Sequence, residues 1–389
     1  MDVFDTLLRL HGAEALGREY VFVRLARMNI AGHIDYSETS RILQAIRKRS
    51  DWLPAWMQAS ARHERLASSA LARDATTSAG DGFLRASLCA HWATLFAQPE
   101  EKTDAHRRSL ELYRLGSIHF DPPAERVEVP FDGDVLPGYL RVPRDAPRPK
   151  VVLMLGGADT NKEELHHWGT EFCRRGLAVL PFDGPGQGEL AARYGRLPLR
   201  LGDFHRAVTA VVDWLTANRP DLDHEGVGVF GNSLGGYLAL DAALRDERVG
   251  AVICNGGFFD GRSLDTWPEG VLRAFSSCTG LDLVAVRSHV REELDLRKAP
   301  GHHRPPALIV HGGREDLSDE DELRDAAILM QGLFAVVEDG WHTCTNRDHL
   351  VSPLFADWMR ESLLGLNEGR GHRELRLADE SDYGLAIDA

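Results

Sequence analysis

The chain has 389 residues, 43% hydrophobic and 27% charged, which is enough to bury a sizeable core in one large domain or in a main domain with an accessory one. Its formal net charge of −14, with arginines scattered among acids and no basic stripe, argues against a nucleic-acid partner. Five widely spaced cysteines without a C-x-x-C argue against a disulfide framework or zinc knuckle; with no signal-peptide pattern and no apolar run of about 20 residues, the expectation is a soluble, cytoplasmic protein that spans no membrane.

Residues 1–122 read as helical. Apolar residues recur at three- and four-residue spacing in Arg41–Arg49 and Gly82–Ala97, placing Trp52, Trp56, Leu84, Leu88, Trp92 and Phe96 on one side. Helix packing is the ordinary use of such a stripe; Trp52, Trp56, His91 and Trp92 are the candidate substrate contacts. The core is expected over 123–366. Arg126–Phe131 and Leu136–Val142 alternate around the turn Asp132-Gly133-Asp134, a hairpin pattern. Next come strands at Val151–Leu155, Leu177–Phe182, Val227–Phe230, Ala251–Cys254, Ala307–Val310 and Ala335–Glu338. Helices alternate with them at Lys162–Arg175, Leu201–Asn218, Ser233–Arg245, Asp319–Gln331 and His349–Leu364. Such alternation predicts an α/β fold with a mostly parallel sheet covered by helices on both faces. Residues 261–304 break the rhythm, either as a helical lid insertion or as a long excursion. Residues 367–389 read as a polar, peripheral tail.

The chemistry centres on Gly231-Asn232-Ser233-Leu234-Gly235-Gly236. An apolar strand precedes this G-x-S-x-G and an Ala/Leu-rich helix follows, the context of a nucleophile elbow. Ser233 needs a base, and in α/β-hydrolases the chain order is Ser, acid, His. Asp316, with Glu315 as the adjacent alternative, follows one strand; His342 follows the next. Both sit at the carboxyl ends of strands, where open α/β sheets place their sites. The Leu234 amide and one from Gly157 or Ala158 are the candidate oxyanion donors. Asp159 reads equally as a participant beside that oxyanion or as the N-cap of the next helix. His311 reads as support for its strand end. Gly226–Gly231 fits G-x-G-x-x-G but lies along a strand, and Gly184-Pro185-Gly186-Gln187-Gly188 opens no matching helix. No cofactor and no metal site is expected; His166-His167 and His302-His303 are adjacent pairs whose side chains diverge.

Three segments together resemble one branch of the α/β-hydrolases, that of the 2,6-dihydroxypseudooxynicotine hydrolases and the fungal naphthopyrone chain-shortening hydrolases. They are Gly156–Glu164, Phe182–Glu189 and Asp339–Asn346, supported by Ala79–Phe96. The resemblance spans residues 15–365. It implies a helical N-terminal cap over a hydrolase core, a homodimer, and a catalytic role at the position of Asp159, where the nicotine-pathway enzyme carries a glutamate. The expected function is a serine hydrolase acting on a small-molecule carbonyl substrate, cleaving a C–C bond of a β-dicarbonyl or a related ester. The alternatives are an esterase or lactonase, an acyl-transferring cyclase, and a non-catalytic binding protein. The last would lack a Ser, acid or His.

Overall fold

The continuously apolar run Val151–Leu155 is buried on both faces, as a central parallel strand must be. It lies near the middle of a nine-stranded sheet in a computed structural model that describes residues 22–31, 33–97, 99–192, 197–299, 301, 303–366 and 371–378. The chain divides into two units, 1–125 and 126–389.

The first unit is helical up to residue 117: α1 (Phe22–Ile30), α2 (Tyr36–Gln44), α3 (Trp52–Leu71), α4 (Thr76–Ala93) and α5 (Pro99–Ser117). Helix α4 carries thirteen buried residues because it packs between neighbours on two sides. Gly82 permits the close approach to α3, since a Cβ there would lie 2.8 Å from Ala67 Cβ. Ser60 and Ser87 donate to the Ala86 and Ser109 carbonyls, both at 2.7 Å, so these hydroxyls are satisfied within the helix layer.

The second unit carries the sheet. Its strands are β1 (Ala124–Phe131, begun two residues before the unit), β2 (Asp134–Arg141), β3 (Lys150–Leu155), β4 (Ala178–Pro181), β5 (Asp223–Asn232), β6 (Val249–Asn255), β7 (Ala307–Gly312), β8 (Leu333–Val337) and β9 (Arg373–Leu377). The order is β1-β2-β4-β3-β5-β6-β7-β8-β9, with β2 antiparallel to β4 and parallel pairing from β4 to β9. Helices α6 (His166–Arg174), α7 (Gly188–Ala192), α8 (His205–Asn218), α9 (Leu234–Arg245), α10 (Glu269–Thr279), α11 (Leu283–Glu293), α12 (Glu320–Met330) and α13 (Asp348–Leu363) connect or follow the strands. The expected α/β architecture is therefore present.

Two expectations change, and the two readings of 261–304 separate. Helix α6 begins at His166, not Lys162, because the Lys162 amide and ammonium both turn inward to Asp183. The 261–304 excursion carries two helices that share the main core through Leu264, Trp267, Leu272, Phe275, Val286 and Val290. Trp267 donates to the Leu317 carbonyl, and the buried Glu322 carboxylate accepts from the Phe259 and Gly261 amides and the Ser263 hydroxyl. The excursion is thus an integral layer. Finally, Arg373–Leu377 forms a ninth strand, parallel to β8 from Leu333↔Arg373 to Val337↔Leu377. Leu377 is fully buried while Arg373, Glu374 and Arg376 face solvent, the charge-protected form of an edge. Leu377→Ala should lower unfolding free energy by roughly 2–5 kcal/mol in urea titration. A peripheral tail would make the change smaller than about 0.5 kcal/mol.

Candidate active site

Ser233 sits where β5 ends and α9 begins, at φ 55° and ψ −124°. A non-glycine residue there carries strain of roughly 1–3 kcal/mol. The turn closes because its neighbours lack side chains. A Cβ on Gly231 would lie 2.0 Å from the Gly235 carbonyl oxygen, and one on Gly235 would lie 2.3 Å from that of Leu155. The Ser233 amide is held by the Asn255 carbonyl at 2.9 Å. Leu234 is the first residue of α9, so its N–H has no intrahelical acceptor and points from a helix N-terminus.

His342 reaches this serine from the loop after β8. Its Nε2 is 2.9 Å from Ser233 Oγ, and its Nδ1 is 2.6 Å from Glu315 Oε2. Ionised Glu315 only accepts, so the Nδ1 proton faces it and Nε2 is left to accept from the serine hydroxyl. Two left-handed residues, Thr343 and Cys344, turn the chain sharply behind the ring. Asn255 ties this loop to the Ser233 turn, donating from Nδ2 to Asn232 Oδ1 and to the Thr343 carbonyl, both at 2.8 Å.

The carboxylate hydrogen-bonded to His342 is Glu315, where Asp316 was the expected partner. The Glu315 side chain is fully enclosed, and its other oxygen accepts from the amides of Asp316 and Leu317 at 3.1 and 2.9 Å. Those two bonds aim Oε2 at the ring. Asp316 is exposed and contributes to His342 only through its charge. Burial pushes the Glu315 carboxyl up, but the charge and hydrogen bond of His342 outweigh it and hold the carboxyl below its usual range. Burial likewise pulls His342 down, and the facing Glu315, then Asp316 and Asp159, bring it above the ordinary histidine value.

Asp159 lies in the loop after β3 and does not cap α6, which starts seven residues later with Leu165 as its uncapped entry. It is half-buried, and its charge reaches His342 and Cys278. It helps raise His342 and, after burial, helps push the Cys278 thiol up to about 12. Gly157 of the same loop runs against the serine, since a Cβ on it would be 3.2 Å from Ser233 Cβ. His311 is buried beside the Phe334 ring.

Trp52, Trp56, His91 and Trp92 are all buried. The Trp52 indole donates to the Trp92 carbonyl at 2.8 Å and packs edge-on to Phe96, so Trp52 joins α3 to α4 in the first unit. Among the described residues no group of three or more His, Cys, Asp or Glu could hold a metal. His302 lies outside the described residues.

Two features escaped the sequence reading. Asn255 carries no motif. The Gly184–Gly188 loop, expected to open no matching helix, leads into the short α7 and is joined to the loop after β3, a tie that its glycine pattern does not report. Asp183 accepts from Lys162 N, Lys162 Nζ and Glu189 N at 2.8, 2.8 and 2.9 Å. Lys162 Nζ also meets Glu163 and Glu189 at 2.8 and 3.1 Å, and Arg126 grips Glu189 with two nitrogens. Glycines and acids in both segments, with Lys162 in the first, were the available signal.

Comparison with known proteins adds the following. A family model described as esterase FrsA-like matches residues 25–294. The chain is 33% identical over 323 residues to the 2,6-dihydropseudooxynicotine hydrolase of Paenarthrobacter nicotinovorans, covering 82% of this chain and 86% of that protein. It is 37% identical over 223 residues to 20-hydroxy-prefusarin hydrolase FUS2 of Gibberella moniliformis, covering 53% of this chain and 52% of that one, about half of each. The crystal structure of a 2,6-dihydroxy-pseudo-oxynicotine hydrolase superimposes with a TM-score of 0.81 at 30% identity, covering 90% of this chain and 98% of that chain.

The site's electrostatics set the sign of one measurement. Carboxylates around the ring favour imidazolium, so His342 should titrate above about 6.5 by ring-proton NMR. Glu315→Gln and, to a smaller degree, Asp159→Asn should each lower that value. No change in Glu315→Gln would show that another group sets the charge of the ring.

Proposed function

Because this chain belongs to the FrsA-like esterase family and is an α/β-hydrolase, we propose that it hydrolyses a small carbonyl compound through Ser233, His342 and Glu315, cleaving a C–C bond beside a ketone. The observation that carries the reading is the unbroken relay from Ser233 Oγ through His342 to Glu315, at 2.9 and 2.6 Å. An intact relay favours catalysis over a binding role.

In the proposed reaction Ser233 Oγ attacks the carbonyl carbon and His342 Nε2 takes its proton. Glu315 stabilises the imidazolium. The amides of Leu234 and of Gly157 or Ala158 receive the oxyanion, each worth on the order of 10²–10³ in rate. Collapse breaks the C–C bond, and the electron pair leaves as an enolate-like carbanion. His342 returns the proton to that carbon. Water then adds to the acyl-serine, giving up a proton to His342, and the carboxylic acid departs as Ser233 is reprotonated.

The preference for C–C cleavage rests on Asp159. An extra carboxylate near the imidazolium favours the protonated ring that must wait for the slow protonation of carbon. Its presence supports this reading, and the hydrolase names of the relatives support hydrolysis in either case. The second reading is ester or lactone hydrolysis, favoured by the esterase description of the family. There the alkoxide leaving group is protonated readily, and Asp159 should matter little.

The two readings separate on a panel of β-diketones and aryl esters, with products identified by mass. The proposal expects β-diketone cleavage to two fragments, lost in Ser233→Ala and reduced at least tenfold in Asp159→Asn while any ester cleavage falls less than about threefold. Ester products alone would remove the C–C assignment. Full activity in Ser233→Ala would remove the nucleophile.

A further inference from the structure

We propose that Gln187 is a positioning residue that sets the oxyanion-binding loop, an inference that rests on the Ser233 hydrolase reading and deepens it. Gln187 is 2% exposed and lies in the Gly184–Gly188 loop. Its Nε2 donates to the Gly156 carbonyl at 2.6 Å, and its Oε1 accepts from the Gly184 amide at 3.2 Å. The Gly156 carbonyl and the Gly157 N–H belong to one planar trans peptide and point in opposite directions. Fixing the carbonyl therefore fixes the direction of the N–H. Gly157 is also the residue that runs against Ser233 Cβ.

The bond falls on the Gly156–Gly157 peptide. Two consecutive glycines leave the peptide free to rotate. The next two carbonyls are also engaged, Gly157 O by the Thr160 amide at 3.3 Å and Ala158 O by the Cys278 thiol at 3.0 Å. Three successive carbonyls are thus occupied, which fixes the amides between them. Gln187 makes the shortest of the three bonds. Its own backbone is rigid: its carbonyl accepts the Leu190 and Ala191 amides at 2.9 and 3.0 Å. Asp183 clamps the two loops together, and a Cβ on Gly188 would strike its carboxyl at 2.4 Å. The Asp183 clamp thereby brings Gln187 to bear on the oxyanion peptide without Gln187 touching substrate.

The test is a pair of variants in the full chain. Gln187→Glu keeps size and the acceptor for Gly184, but its carboxylate cannot donate to Gly156 O. Gln187→Met keeps volume and loses both bonds. Misplacing an oxyanion donor by about 1 Å costs roughly 100-fold, so kcat should fall about 10- to 100-fold in each variant. KM should stay within about threefold. Binding of a trifluoromethyl ketone, whose hemiketal oxygen copies the oxyanion, should weaken in step with kcat/KM. The melting temperature should fall too little to account for the loss. Lowering the pH should restore part of the Gln187→Glu rate relative to the parent, because the introduced carboxyl donates once protonated; Gln187→Met should show no such recovery. An unchanged kcat, a loss confined to KM, or ketone binding that does not follow kcat/KM would overturn the proposal. Retained activity in Ser233→Ala would instead overturn the reading beneath it.

Discussion

The hydrogen bond between His342 and Glu315 orders the rest of the site. An acceptor-only carboxylate on Nδ1 fixes which nitrogen carries the proton, and so which nitrogen faces Ser233. Glu315 is enclosed, yet ionisation is favoured because two backbone amides and the imidazole share its charge. The amides come from the two residues after it, so the turn following β7 folds around its own acid. Removing the carboxylate would free both the ring and the turn.

The serine is held from the other side by strain with a packing cause. Ser233 adopts a positive-φ conformation because α9 starts almost on top of β5 and against the end of β3, a closeness possible only where Gly231 and Gly235 lack side chains. The roughly 1–3 kcal/mol this costs is offset by a helix whose Leu234, Tyr237, Leu238, Leu240 and Leu244 are all buried. Asn255 then joins the two loops, so Ser233 and His342 cannot drift apart independently. The site is a set of loop ends cross-braced at the carboxyl edge of one sheet.

Much of this could be read from residue order. Ser233 and His342 were legible because each lies in a short motif after an apolar strand, and the strand pattern located the sheet edge. The choice between Glu315 and Asp316 was not, because adjacent carboxylates differ only in where the turn aims them. Asp159 remained ambiguous until α6 proved to begin at His166, which removes its capping role. That start is late because Lys162 is committed to a buried ionic cluster, a long-range pairing with Asp183 that no local propensity reports. Strand β9 was missed for a related reason. Its residues are mostly charged, and only the pairing with β8 makes them a strand.

The assignment of Glu315 is the claim on which the mechanism turns, since it makes the relay continuous. The direct measurement is kcat/KM for Glu315→Gln and Asp316→Asn, compared in one assay at one pH. Neutralising the acid of a relay costs roughly 10⁴-fold, so Glu315→Gln should lose about three to four orders of magnitude while Asp316→Asn loses less than about fivefold. The reverse pattern, with Asp316→Asn nearly inactive and Glu315→Gln nearly intact, would contradict the account.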